Sequence, residues 1–293
     1  LVGARLDGSF GRKAEVVCEA LRRLGADVTV INDDYSGTDI NVQCGSTHLE
    51  PLRALVAECG ADVGIAHDGD ADRVMLMDSE GNEIDGDMVE AVCAIDLKQR
   101  GLLAGDTAVS TVMANLGLTH ALRDAGINLI QTKVGDRYVL EAMREGGYVI
   151  GGEQSGHTIF LEHNSTGDGL VTALQFLAAC KRAGKSAGEA AKAMTRFPQT
   201  LINVRVKDKH AADGNQAIAD AVAAAEAALG EDGRVLLRPS GTEPVVRVMV
   251  EAMDQQAAEQ HAKAIAEVVS SRARYALIVT SLPDPQKRYA PLL

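Results

Sequence analysis

Two apolar runs, Val63-Gly64-Ile65-Ala66 and Val74-Met75-Leu76-Met77, enclose the acidic sequence Asp68-Gly69-Asp70-Ala71-Asp72-Arg73. Short apolar runs bounded in this way are typical of buried strands, so the pattern predicts strand, loop and strand. The small residues between the acids let the backbone turn tightly, and the three carboxylates can then converge on one point. The sequence therefore predicts core strands joined by a strongly acidic loop.

The acidic loop is a candidate site for a hard cation. Converging carboxylates repel one another unless a cation lies between them, and oxygen ligands favour Mg²⁺ or Ca²⁺ over zinc. An EF-hand also begins with alternating acids, but it needs glycine at its sixth position and glutamate at its twelfth. This sequence has Arg73 and Ser79 there, so the EF-hand is excluded. The candidate ligands are Asp68, Asp70 and Asp72.

A solvated acidic turn between two strands is the alternative interpretation of the same loop. Arg73 makes this alternative less attractive. An arginine beside three acids contributes little to a site that holds a cation alone, but it is useful if the remaining ligand of the ion is a phosphate. The loop therefore predicts a phosphorylated substrate.

Composition limits the partners of the chain. Its 293 residues carry a net charge of -12, which argues against nucleic acid and against an anionic membrane surface. Tryptophan is absent, so platforms on which bases could stack are scarce. Five dispersed cysteines without a C-x-x-C motif suit reduced thiols, and we expect a cytoplasmic protein.

Strand and helix patterns alternate along most of the chain, which predicts an α/β fold. We expect two successive α/β (βαβ) mixed-sheet domains, residues 1–85 and 86–197. A small α+β C-terminal domain follows at 198–274, and 275–293 remain an unassigned tail. In such sheets ligands collect beyond the carboxyl ends of strands, where the acidic loop lies.

Two further loops between predicted elements suit a polar ligand. Lys133-Val134-Gly135-Asp136-Arg137 opens a helix, where cations and backbone N–H groups can bind an anion; an ordinary capped surface loop is the alternative. Gly151-Gly152-Glu153-Gln154-Ser155-Gly156-His157 presents mixed donors and acceptors that suit a polyhydroxylated ligand; a plain hairpin is the alternative. In Thr166-Gly167-Asp168-Gly169, Asp168 is predicted to be an acid at the N-terminus of the next helix, where the helix dipole favours it.

A fourth loop, Arg238-Pro239-Ser240-Gly241-Thr242-Glu243-Pro244, resembles a phosphate site. Two hydroxyls and a flexible glycine can cradle the phosphate, and Arg238 and Arg247 can neutralise it. A turn bracketed by prolines is the alternative, although it would not need two arginines.

Together the loops resemble those of the α-D-phosphohexomutase family. That family has an acidic Mg²⁺ loop, a Gly-Glu-x-Ser-Gly-His sugar loop and an Arg-Pro-Ser-Gly-Thr-Glu-Pro phosphate loop, in this order. The resemblance covers residues from about 25 to 274. Three details, Cys44-Gly45-Ser46-Thr47-His48, the 133–139 loop and Gln154, most resemble its bacterial glucosamine-phosphate members.

The resemblance implies an isomerase that interconverts 6-phospho and 1-phospho sugars through a bisphosphorylated intermediate. It implies Mg²⁺ as cofactor and a phosphosugar as substrate, and it is compatible with a homodimer. The implied roles are distributed as follows: Asp68, Asp70 and Asp72 hold the metal; Arg73, Lys133 and His157 act in catalysis; Glu153 and Ser155 bind sugar hydroxyls; Arg238, Ser240, Gly241, Thr242 and Arg247 grip the phosphate that is not reacting.

The sequence departs from the family at its nucleophile. The family carries a phosphoserine in a Thr-Ala-Ser-His-Asn-Pro-like loop, and no such stretch occurs in these 293 residues. Leu1–Arg12 also fits poorly with the expected first strand of the second domain. We expect domains II, III and IV without the phosphoserine domain, and little activity of the chain alone. A phosphomannomutase or phosphoglucomutase, or a non-catalytic sugar-phosphate-binding remnant, are the alternatives.

Overall fold

The computed structural model describes residues 3–7, 13–32, 40–207, 212–240 and 243–273. It divides into two compact units, Leu1–Thr195 and Arg196–Leu293. The finer domain bounds drawn from the sequence stay a prediction. The unassigned tail, like Gly241 and Thr242, lies outside the described residues.

The first five strands along the chain form one mixed sheet. They are β1 (Gly3–Asp7), β2 (Asp27–Ile31), β3 (Val63–His67), β4 (Val74–Asp78) and β5 (Glu83–Ile84). The sheet order is β2-β1-β3-β4-β5, with β1 parallel to both neighbours and β4 antiparallel to both of its neighbours. Helices α1 (Lys13–Arg23) and α2 (Glu50–Cys59) accompany it.

The expectation that Leu1–Arg12 lacks the first strand is wrong. The backbone of Gly3–Asp7 pairs with β2 on one side and with β3 on the other, so this strand is central in the sheet. Its sequence, Gly-Ala-Arg-Leu-Asp, alternates small or apolar with charged residues and has no apolar run, which is why composition did not reveal it.

A second sheet of the first unit follows in the chain. Its strands are β6 (Thr107–Thr111), β7 (Asn128–Thr132), β8 (Ile150–Gly152) and β9 (Thr158–Phe160). The order is β7-β6-β8-β9, parallel except for the antiparallel pair β8–β9. Its helices are α3 (Gly86–Gln99), α4 (Leu116–Asp124), α5 (Asp136–Gly146), α6 (Gly169–Ala183) and α7 (Ala187–Ala191).

One hydrophobic core serves both sheets of the first unit. Ile65 of β3 and Leu76 of β4 belong to the same buried cluster as Leu118 of α4 and Phe176 of α6. The shared core fixes the end of β3 relative to the β8–β9 hairpin, and this positions the loops described below.

The second unit is a small α+β sandwich. Strands β10 (Gln199–Arg205), β11 (Gly233–Pro239) and β12 (Val245–Ala252) form an antiparallel sheet in the order β10-β12-β11. Helices α8 (Gln216–Leu229) and α9 (Gln255–Ala273) contribute Ile218 and Ile265 to a core with Val246 and Val248. The mixed α/β class predicted from the sequence is confirmed. Among the described residues, no helix combines the length and apolar character that crossing a bilayer requires.

Candidate functional site

The acidic loop folds back on itself at the carboxyl end of β3. Ala71 N–H donates to the Asp68 carbonyl at 3.1 Å, and Arg73 N–H donates to Asp68 Oδ1 at 3.2 Å. This turn brings one carboxylate oxygen from each of Asp68, Asp70 and Asp72 within 4.8 Å of one another. A donor set of carboxylate oxygens alone fits a hard divalent cation.

The electrostatics of the loop favour a cation. Burial, together with the neighbouring charges of Asp72 and Asp70, raises the pKa of Asp68 to about 6, although the hydrogen bond from Arg73 N–H works in the opposite direction. The Arg73 Nε lies 3.8 Å from Asp68 Oδ2 and 3.8 Å from Asp72 Oδ1, so it offsets part of this charge without forming a short ion pair. A divalent cation would offset the rest.

The β8–β9 hairpin packs directly against the acidic loop. An antiparallel bridge joins Arg73 to His157, and Val74 N–H donates to the Gly156 carbonyl at 3.2 Å. Gly156 has φ +94°, and a Cβ there would overlap the Val74 carbonyl oxygen, so only glycine allows this approach. The sugar-binding loop predicted from sequence is thus a hairpin turn that touches the carboxylate cluster.

His157 is 3% exposed and lies between the loops. Its Nε2 accepts a hydrogen bond from Gly167 N–H at 3.2 Å, so the proton of the neutral ring resides on Nδ1. The same Nε2 lies 3.6 Å from Asp72 Oδ2 and 3.9 Å from Asp136 Oδ2. The imidazole therefore links the acidic loop, the hairpin and the start of α5.

Replacing Gly167 by alanine should disturb this arrangement. The new Cβ would lie 2.5 Å from His157 Nε2 and 2.6 Å from the Asp72 carbonyl oxygen, so the buried imidazole and a backbone atom would both have to shift. We expect a loss of about 1–3 kcal/mol in the free energy of unfolding, measured by urea denaturation, and a changed ¹⁵N shift of His157 Nε2. Gly184→Ala is the control for the spectrum: alanine strains the left-handed backbone there but meets no neighbour, so we expect lower stability with an unchanged His157 signal. An unchanged His157 spectrum in Gly167→Ala would contradict the assignment.

The loop after β7 also meets the hairpin. Gly135 N–H donates to Glu153 Oε1 at 3.1 Å, which ties the predicted sugar-binding carboxylate to the loop that carries Lys133. Lys133 is exposed, and Ser155 is half-buried in the hairpin turn. Every predicted site residue of the first unit therefore lies on one of three loops that contact one another.

His67 is a site residue that the sequence did not reveal. It is fully buried at the end of β3, and burial lowers the pKa of its imidazole to about 4. The neutral ring donates from Nδ1 to the Arg73 carbonyl at 3.2 Å and so closes the acidic loop from within. The only hint in the sequence was that a histidine ends an apolar run. The sequence does not show whether its side chain points into the core or towards solvent.

The loop of the second unit is described in part. Arg238 and Arg247 lie directly opposite each other on β11 and β12, with Asn203 of β10 beside Arg247. Burial lowers the pKa of Arg238, and the like charge of Arg247 lowers it further. Ser240 is 2% exposed, and its Oγ accepts from Glu243 N–H at 3.4 Å. Two facing arginines beside a buried hydroxyl suit an anion.

Comparison with protein families decides the identity of this fold. Models of domain II, domain III and the C-terminal domain of phosphoglucomutase/phosphomannomutase match residues 5–81, 85–197 and 201–268. The chain belongs to the phosphoglucomutase/phosphomannomutase family. The resemblance predicted from the loops is confirmed. Asp168 lies at the N-terminus of α6 as predicted, and its carboxylate also caps the helix by accepting from Val171 N–H at 3.0 Å.

Curated members of this family are close in sequence. The chain is 55% identical over 264 residues to the phosphoglucosamine mutase of Frankia alni, and 55% identical over 264 residues to that of Thermobifida fusca. Each alignment covers 90% of this chain, but only 58% and 59% of the two relatives. The chain thus spans less than two thirds of these phosphoglucosamine mutases.

Solved structures of the family share the fold. A phosphoglucomutase/phosphomannomutase family protein from Burkholderia thailandensis superposes with TM-score 0.76 at 22% identity, covering 92% of this chain and 60% of that one. The N-acetylphosphoglucosamine mutase of Aspergillus fumigatus, solved with GlcNAc-6P and magnesium, has TM-score 0.76 at 20% identity, covering 92% and 66%.

Proposed function

We propose that this chain provides the metal- and sugar-phosphate-binding part of a phosphoglucosamine mutase, which interconverts glucosamine 6-phosphate and glucosamine 1-phosphate. The observation that carries the proposal is the bridge between Arg73 and His157, which places the hairpin against the three carboxylates. The 55% identity to named phosphoglucosamine mutases supports the choice of sugar. The product would serve UDP-N-acetylglucosamine and cell-wall synthesis.

In the proposal, Asp68, Asp70 and Asp72 hold Mg²⁺. When bound, the ion offsets the negative charge that develops on a transferring phosphoryl group. Arg73 lies beside the carboxylates and is 44% exposed in its side chain, so its guanidinium can reach a phosphate outside the loop. His67 keeps the loop in the shape that this arrangement needs.

The hairpin and the loop after β7 would orient the sugar. Glu153 and Ser155 would accept and donate hydrogen bonds to its hydroxyls, which need mixed partners. Lys133 would bring a positive charge to the same ligand. His157 would act beside the reacting phosphate ester, where its ring joins the acidic loop to the hairpin.

The second unit would bind the phosphate that does not react. Arg238 and Arg247 would neutralise it, and Ser240, Gly241 and Thr242 would surround it with hydroxyl and N–H donors. Because these residues would bind the phosphate group and not one end of the sugar ring, 6-phospho and 1-phospho sugars could bind in opposite orientations. This permits a bisphosphate intermediate.

Turnover in the proposal needs a phosphoserine, and the 293 residues contain no Thr-Ala-Ser-His-Asn-Pro-like loop. We therefore propose that these residues bind the substrate but turn it over little on their own. The phosphosugar is the proposed partner. A homodimer and a cytoplasmic location stay predictions.

The test is a direct assay with the purified chain. Glucosamine 6-phosphate, Mg²⁺ and a trace of glucosamine 1,6-bisphosphate are added, and ³¹P NMR follows both the substrate signal and any 1-phosphate. We expect saturable binding without measurable conversion, and weaker binding of mannose 6-phosphate and glucose 6-phosphate. The full-length Frankia alni relative is the positive control. Clear conversion would refute the inactivity, and absent binding would refute the proposed function itself.

A further inference from the structure

A buried carboxyl lies at the base of the hairpin that carries Glu153 and Ser155. Glu90, in the second turn of α3, has no exposed surface, and it takes no part in the candidate site described above. Apart from the Ser110 hydroxyl, no described group forms a hydrogen bond with either of its carboxyl oxygens. Because an ionised carboxylate is costly to bury without partners, this position favours the neutral carboxyl.

The first turn of α3 packs directly against the hairpin. Gly86 N–H donates to the Gln154 carbonyl at 3.1 Å, and a Cβ on Gly86 would overlap the Glu153 carbonyl oxygen. Glu90 follows one turn later on the same helix, which also contacts β8. The helix therefore brings this carboxyl close to the strand that leads into the hairpin turn.

Ser110 connects Glu90 with the hairpin. It lies in β6, beside β8, and its Oγ donates to the Gly152 carbonyl at 3.0 Å in a buried hydrogen bond. Gly152 ends β8 and directly precedes Glu153, whose Oε1 accepts from Gly135 N–H at 3.1 Å. The Ser110 hydrogen bond therefore holds the backbone from which the predicted sugar-binding carboxylate extends.

The single proton of the Ser110 hydroxyl decides the protonation state that suits Glu90. A serine hydroxyl has one proton and two lone pairs, and the Ser110 proton is used at Gly152. Towards Glu90 the hydroxyl thus presents lone pairs, which repel a carboxylate but accept the O–H of a neutral carboxyl. Burial raises the pKa of Glu90 to about 8, which agrees with a neutral carboxyl at neutral pH.

Charged neighbours do not disturb this carboxyl. On its own helix, Asp87 lies one turn earlier and accepts from Asn115 N–H at 2.7 Å, and Cys93 lies one turn later. Strands β6 and β8 carry no titratable side chain. The other segments packed against α3 carry these titratable groups: His120, Arg123 and Asp124 on α4; Cys180, Lys181 and Arg182 on α6; Glu189 on α7; Glu153 and His157 in the hairpin. Of all the described groups, only Ser110 modifies the pKa that burial produces in Glu90.

We propose that Glu90 is a positioning residue for the sugar-binding hairpin. Its neutral carboxyl donates to Ser110 Oγ and leaves the Ser110 proton on the Gly152 carbonyl. When the carboxyl ionises, it accepts the Ser110 hydrogen bond itself, and Gly152 loses its donor. Binding of a phosphosugar at the hairpin is then weaker at alkaline pH. The link to the ligand rests on the proposed function, whereas the link between Glu90 and Gly152 does not.

Carbonyl ¹³C signals of the chain, recorded by NMR from pH 6.5 to pH 9, test the link between Glu90 and Gly152. We expect the Gly152 carbonyl signal of the parent to shift with a midpoint near pH 8. In Glu90→Gln the shift should be absent, because the side-chain amide donates to Ser110 at every pH. Glu145→Gln, at an exposed position of α5, is the control and should titrate like the parent.

Isothermal titration with glucosamine 6-phosphate at pH 7 and pH 9 tests the link to the ligand. With a midpoint near pH 8, about a tenth of the parent chains keep the neutral carboxyl at pH 9, so their affinity should fall about tenfold more than that of Glu90→Gln. Comparing the proteins at the same pH cancels the titration of the ligand itself. Ser110→Ala, which lacks the hydroxyl, should bind weakly at both pH values. Circular dichroism verifies that each variant folds.

The proposal is overturned if the Gly152 signal of the parent does not titrate near pH 8, or if it titrates equally in Glu90→Gln. An equal loss of affinity in the parent and in Glu90→Gln between pH 7 and pH 9 would also overturn it. Absent binding of glucosamine 6-phosphate to every protein would refute the proposed function. The Gly152 signal alone would then decide whether Glu90 controls the hairpin.

Discussion

Replacing Glu90 by glutamine will stabilise the protein at pH 8 and change its stability much less at pH 5. Glu90 lies in α3 and has no exposed surface. Burial raises the pKa of its carboxyl to about 8. Ser110 lies close enough to lower this pKa somewhat, but its hydroxyl donates to the Gly152 carbonyl at 3.0 Å. The carboxyl is therefore neutral in the folded chain at neutral pH.

The direction of the pH dependence follows from this raised pKa. Because the unfolded chain releases the proton near pH 4.5 and the folded chain only near pH 8, the contribution of Glu90 to stability is fully present below pH 4.5. It is lost progressively as the pH rises to about 8. The total effect is on the order of 5 kcal/mol.

Urea unfolding followed by circular dichroism between pH 5 and pH 8 measures this effect. The free energy of unfolding should fall with pH more steeply in the parent than in Glu90→Gln. Glu145→Gln, at an exposed position of α5, should follow the parent. Parallel curves for the parent and Glu90→Gln would show that the carboxyl is not held neutral.

Replacing Arg238 by glutamine should weaken phosphate binding and leave the second unit as stable as before, or slightly more stable. Arg238 faces Arg247 across the sheet, and like charges at directly opposed positions repel. Removing one charge relieves this repulsion. A hydrogen bond from a charged donor contributes about 1.5–3 kcal/mol, so the affinity for inorganic phosphate should fall about tenfold or more.

Isothermal titration with inorganic phosphate and thermal unfolding measure the two effects separately. Arg272→Gln, which removes an exposed arginine near the end of α9, is the control and should change neither. If Arg238→Gln bound phosphate like the parent, the facing arginines would not form the proposed anion site.

The elements that carry the site could be predicted from local pattern. The apolar runs before Asp68 and Glu153 showed where strands end and loops begin. This was possible because the residues of a strand and of the turn after it are neighbours in sequence. The position of Asp168 at the N-terminus of α6 was equally local, since its carboxylate interacts with a backbone N–H three residues ahead. For these parts of the fold, spacing and residue type were sufficient.

The contacts between the loops could not be predicted in this way. The bridge from Arg73 to His157 and the bond from Gly167 to His157 join segments that only the shared core brings together. The short strand at Gly3–Asp7 was missed because its position depends on two neighbours and not on its own composition.

We propose that Asp68, Asp70 and Asp72 form one divalent-cation site. Isothermal titration of the chain with Mg²⁺ at pH 7.5 tests it most directly, with Asp70→Asn as the variant. Asp124→Asn is the control, because this substitution removes the same charge. The side chain of Asp124 is 72% exposed and pairs with Arg123. We expect one saturable Mg²⁺ site per chain in the parent and in Asp124→Asn, with an affinity at least about tenfold lower in Asp70→Asn. Equal Mg²⁺ affinity in all three proteins, or no saturable binding in the parent, would contradict it.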